Sequence, residues 1–126
     1  MIEEYFESVQ ALLQSLSFSK SPEVDYDYRD RETGFIKGDL VFKDGSRLHF
    51  REFVQVKSGH PVHRYMYAFQ YMDSDGKLVF RYDDTKHFPN LSTAPHHKHI
   101  GKNDVVAANA PDLQSVLKEI EVLIKP

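Results

Sequence analysis

The chain has 126 residues, and at roughly 100–200 residues per domain this is one domain with one modest core. With 40% hydrophobic and 28% charged residues and a net charge of −3, it is neither a disordered tail nor a membrane protein, and neither sign of charge names a partner. The absence of cysteine excludes disulfide scaffolds, thiolate zinc sites and cysteine nucleophiles.

Ile2, Tyr5, Phe6, Val9, Leu12, Leu13 and Leu16 recur at spacings of three and four, which predicts a helix over residues 2–17 with one buried stripe. The pattern then changes to period two: Val24, Tyr26 and Tyr28 alternate with Asp25, Asp27 and Arg29, as in a half-buried strand. Strands at 35–43 and 46–57 are joined by Asp44-Gly45, read as a two-residue hairpin turn with positive φ at both positions. A second hairpin is expected from 62–72 through Asp73-Ser74-Asp75-Gly76 to 77–83. Alternation puts His63, Tyr65, Tyr67, Phe69 and Tyr71 on one face with Leu78, Phe80 and Tyr82. Arg64, Met66, Ala68, Gln70 and Met72 then share the other face with Val79, Arg81 and Asp83. Residues from about 84 to 110 show no clear periodicity and read as a long loop, of the kind that is functional or disordered. Leu113, Val116, Leu117, Ile120, Leu123 and Ile124 predict a closing helix over 111–124, with Asn109 as candidate cap and Pro111 near the first turn. The sum is an α+β domain: a five-stranded, mainly antiparallel meander sheet flanked by an N-terminal and a C-terminal helix covering one face.

Charge is unevenly placed. Residues 1–32 hold three basic against eight acidic side chains, whereas the stretch Lys86–Lys102 holds three lysines, four histidines and no carboxylate. That stretch is the one place where an anion would be attracted. No apolar run approaches the roughly 18 residues of a membrane span, and the acidic start Met1-Ile2-Glu3-Glu4-Tyr5 is unlike a secretory leader, so a cytosolic location is expected.

The candidate chemistry lies in and beside this loop. His97 and His99 fall on the same side of an extended segment, and histidine gives and takes protons near neutral pH, so they are the candidate acid–base pair, with His87 as a third catalytic candidate. Arg81 leads into the loop and presents a planar fork for phosphate oxygens; the alternative is a surface arginine paired to Asp83. Lys98 is a candidate phosphate contact, His96 and His63 are further candidates for substrate binding, and Tyr65 is a candidate platform for a splayed base. No cofactor is required by this reading. A divalent metal on His97 and His99, with His87 or His96 and a carboxylate such as Asp83, is the competing one.

The order His63-x-Tyr65-x-Tyr67, then Leu78-Val79-Phe80-Arg81-Tyr82-Asp83, then His87, then Pro95-His96-His97-Lys98-His99 before an amphipathic helix resembles the TumE-type toxins of toxin–antitoxin systems, over about residues 60–125. The resemblance implies a growth-inhibiting protein held silent by a cognate antitoxin, a small helix-turn-helix protein among the candidates. Combined with the acid–base loop, it leads to an RNA-cleaving toxin acting on an RNA substrate, with no membrane partner and self-association left open. Two alternatives stand beside it: a non-catalytic protein- or nucleic-acid-binding module, and a metal-dependent nuclease or hydrolase.

Overall fold

The computed structural model describes residues 1–20, 22–84, 96–101 and 104–124. The elements follow in the order α1 (Ile2–Gln14), β1 (Glu23–Tyr28), β2 (Thr33–Val41), β3 (Arg47–Gln55), β4 (His63–Met72), β5 (Leu78–Asp83), β6 (His97–Ile100), β7 (Asp104–Ala107) and α2 (Leu113–Ile124). All strands form one antiparallel sheet in chain order, β1 through β7. The expected α+β meander between two helices is present, with seven strands where five were expected. The two extra strands come from the stretch read as a loop. There the alternating residues are His97, Lys98, His99 and Ile100, whose polarity hides the period-two signal that a strand in a hydrophobic setting shows. The turn after them uses Gly101 at φ +61°.

Both helices lie on one sheet face. Ile2, Phe6, Val9 and Leu13 of α1 and Leu113, Val116, Leu117 and Ile120 of α2 close over Ile36, Leu40, Leu48, Phe50, Val54, Tyr67, Phe69, Tyr71 and Phe80. At Gly34 the approach is close enough that a Cβ would sit 2.4 Å from Phe6 Cζ, so only glycine lets α1 pack there. Helix α2 starts at Leu113, not at 111, because the Asp112 carboxylate accepts the Ser115 N–H at 2.8 Å. Asp112 is therefore the cap, in place of Asn109, and Pro111 precedes the helix.

Both hairpins turn differently from the expected form. Only Gly45 and Gly76 have positive φ, and the N–H of each donates back three residues, to Phe42 O and Asp73 O. These are three-residue turns ending in a glycine bulge, so Asp44 keeps ordinary backbone geometry. A further irregularity matters more. The β3–β4 register shifts between Phe53 and Val54, so that Met66 pairs with Phe53 but Arg64 with Val54. This bulge at Tyr65 breaks the alternation along β4. Tyr67, Phe69 and Tyr71 stay on the helix-covered face as expected, but His63 and Tyr65 move to the open face and Arg64 moves under the helices.

Candidate active site on the open face of the sheet

Register carries the polar residues of β5 and β6 to one place. Asp83 pairs with His97 and Arg81 with His99 across the two strands, and Gln70 of β4 pairs with Arg81. All five side chains project from the face opposite the helices, because they alternate with Phe80 and Tyr82 on β5 and with Lys98 on β6. Arg81 Nε donates to Asp83 Oδ2 at 2.8 Å, and its NH1 donates to Gln70 Oε1 at 2.8 Å. His97 Nε2 lies 2.6 Å from Asp83 Oδ1 and 3.1 Å from His99 Nε2. Since a carboxylate can only accept, the Nε2 of His97 carries the proton directed at Asp83.

Burial grades the members. Asp83 is 3% exposed and His97 1%, whereas the His99 and Arg81 side chains keep about a quarter of their surface. Burial holds the His99 pKa below its ordinary value, with the charges of His97 and Arg81 adding and that of Asp83 opposing. Near neutral pH, His99 is therefore an uncharged imidazole at the solvent side of a fixed Asp–His pair. An arginine has five N–H donors, and two of those on Arg81 are engaged by Asp83 and Gln70.

Other candidates from the sequence separate from this cluster. Lys98 lies on the helix-covered face, where its ammonium contacts Glu119 at 2.8 Å and stands 4.9 Å over the Tyr82 ring. Burial works against its charge, but Glu119 and Tyr82 prevail and its pKa is raised. Its assignment as a phosphate contact beside His97 and His99 is thus not carried by the fold: neighbours on a strand point to opposite faces. His96 also turns away, stacking on Tyr67 with its Nδ1 3.0 Å from the Tyr67 hydroxyl. His87 lies outside the described residues. His63 and Tyr65 are together on the open face, their rings 4.7 Å apart, with Tyr65 packed on Phe53 and donating to Gln55 Oε1 at 3.0 Å.

A second polar cluster lies under the helices. Glu52 is 1% exposed, accepts from Tyr5 hydroxyl at 2.5 Å and from Arg64 at 3.2 Å, and Arg64 also donates to Pro111 O at 2.5 Å while standing 4.4 Å over the Tyr67 ring. Burial, with the neighbouring Glu52 carboxylate, drives the Tyr5 pKa far up, and burial pushes that of Tyr67 up to about 12. This cluster ties α1, the sheet and the entry to α2 together, and the sequence reading missed it. The signal was there: an acid at the third apolar position of Leu48-x-Phe50-x-Glu52-x-Val54 requires a partner.

The family model for Toxin TumE matches residues 9–124. The chain belongs to the TumE toxin family. The match takes in the N-terminal half as well as the stretch from 60 to 125 that carries the resemblance in the sequence. Membership makes the toxin half of a toxin–antitoxin pair the coarse description of this chain, and it implies a cognate antitoxin as partner. No curated protein and no solved structure gives a significant match. Among the described residues of this TumE-family chain, no helix is long and apolar enough to cross a membrane.

Proposed function

We propose that this TumE-family toxin stops growth by cleaving RNA at the Asp83–His97–His99–Arg81 cluster. The observation that supports this most is the convergence, on the open side of the sheet, of an uncharged histidine, an oriented histidine behind it and an arginine. His99 takes the proton of a ribose 2′-hydroxyl, whose oxygen attacks the adjacent phosphorus. Arg81 stabilises the extra negative charge on the phosphoryl oxygens. His99 then returns the proton to the departing 5′-oxygen, leaving a 2′,3′-cyclic phosphate and a 5′-hydroxyl. His97, fixed on Asp83, holds the His99 ring in place, in the way that a base is oriented by a third group.

The same face supports RNA as the substrate. Arg47 and Arg51 project from β3, neither of them ion-paired among the described residues, and Phe53 with Tyr65 forms an aromatic surface further along. Phosphates on arginines and bases on aromatic rings are the usual terms of single-strand recognition. The acidic side chains Glu23, Asp25 and Asp27 of β1 bound this surface at the far edge of the sheet.

The test is induced expression without a partner, combined with mapping of the RNA ends produced by purified protein. Growth arrest and cyclic-phosphate ends are expected, both lost in His99→Ala and in Arg81→Ala at unchanged soluble yield. Normal growth at verified soluble expression, or full cleavage by His99→Ala, would refute the assignment.

A further inference from the structure

The three side chains at the centre of the cluster have a second capacity. His97 Nε2, His99 Nε2 and the Asp83 carboxylate bring one ligand atom each within 4.8 Å of the others. His97 Nε2 stands 2.6 Å from Asp83 Oδ1 and 3.1 Å from His99 Nε2, and His99 Nε2 is 3.9 Å from the other carboxylate oxygen, Oδ2. Metal–ligand bonds of about 2.0–2.1 Å in tetrahedral array put neighbouring donors about 3.3 Å apart, a spacing that small side-chain adjustments of this group reach. Once His97 Nε2 has given up its proton, its lone pair and those of His99 Nε2 and the Asp83 carboxylate can be shared by one cation between them.

The rest of the site fits such an ion. Two imidazoles and a carboxylate suit zinc and its first-row neighbours; magnesium and calcium ask for oxygen throughout. Arg81 Nε holds Asp83 Oδ2, which fixes the carboxylate and leaves Oδ1 turned to His97. Asp83 and His97 are already withdrawn from water, so little ordering remains to be done on binding. His99 closes the group on the side where its own side chain keeps about a quarter of its surface exposed.

We infer that Asp83, His97 and His99 form a binding site for one divalent transition-metal ion of the zinc type. The inference concerns binding and stands whether or not the protein cleaves RNA. If the cleavage reading also holds, zinc occupies the nitrogen lone pairs of the histidine pair, and cleavage falls as the site fills. Stimulation of cleavage by zinc would instead replace the histidine shuttle with a metal-bound water and leave the binding site standing.

Untagged, chelator-treated full-length protein is titrated with zinc chloride by calorimetry and with cobalt(II) chloride by visible absorption. One equivalent of each is expected, with the intense visible bands of four-coordinate cobalt, and zinc should raise the melting temperature by mass action. Asp83→Asn and His99→Gln should each weaken binding by roughly 100-fold or more, since even supporting residues of a metal site cost up to that much. Asp83 is buried and its variant can lose the fold, so His99→Gln, at a partly exposed position and checked by circular dichroism, decides. His63→Gln, outside the proposed ligand set, should bind zinc like wild type. Absence of a zinc equivalent in the wild-type protein, or unchanged zinc affinity in folded His99→Gln, would overturn the inference.

Discussion

Replacing Arg64 by alanine tests whether the buried Glu52 depends on a cation under the helices. Glu52 is 1% exposed and has two donors, the Tyr5 hydroxyl at 2.5 Å and Arg64 at 3.2 Å. Without the guanidinium, a buried carboxylate keeps one neutral donor, the Pro111 carbonyl loses its own donor at 2.5 Å, and the Tyr67 ring loses the cation above it. Breaking a buried pair from one side costs about 3–5 kcal/mol, because the charge left behind has no compensation. In a domain of this size that is on the order of 10–20 °C in melting temperature. Urea unfolding followed by far-ultraviolet circular dichroism gives the value directly. Adding Glu52→Gln to Arg64→Ala should restore much of the loss, since the orphaned charge goes with it. The cycle of the two single variants and the double should therefore show a coupling of at least about 2 kcal/mol. A loss below about 1 kcal/mol for Arg64→Ala, or strictly additive effects, would show that Glu52 does not depend on Arg64.

Three further outcomes follow from the charges. Burial, the first cause, lowers the His99 pKa, so the protonated fraction that stops cleavage should grow only below the ordinary value of about 6.5; a rate-versus-pH profile that is flat above 6.5 and falls below it is expected. The sign for stability is the same: the unfolded chain takes up this proton first, so the contribution of His99 is complete above about 6.5 and is lost as the pH falls through the lower folded value, which melting at stepped pH will show. Glu119→Ala removes the acceptor of both the Lys98 ammonium and the Tyr82 hydroxyl, at a pair whose side chains are 20% and 32% exposed; it should cost about 1–2 kcal/mol and leave toxicity intact, because these groups lie on the face away from His99.

The helices, β1 and the two central hairpins were legible because each buries one stripe and exposes the other, which periodicity reports directly. Three things escaped it. Strand β6 is two histidines and a lysine before a single isoleucine, so its pairing with β5 is written in backbone hydrogen bonds that composition does not reveal. The bulge at Tyr65 inserts one residue into a clean alternation, and every side chain before it changes face while the letters stay the same. Glu52 occupies a position that a hydrophobic pattern expects to be apolar, and its contacts with Tyr5 and with Arg64, which the bulge brings under the helices, account for it. For the candidate site, residue types and the His97/His99 pairing were visible in the sequence. Asp83 and Arg81 were candidates from the sequence as well; that Gln70 braces the group and that Lys98 and His96 do not join it required the register of β4, β5 and β6.

Strands that pair in chain order have a consequence for how such a protein is made. The first five can assemble from neighbouring segments as they leave the ribosome, with little loop entropy to overcome at each step. The histidine strand is sixth of seven in the order of the sheet, and its underside is pinned by Glu119 of the last helix through Lys98. During synthesis, then, most of the scaffold exists before the cluster that carries the proposed chemistry. On the proposed reading, a nascent chain can cut no RNA before strand β6 and the helix that pins it have been made.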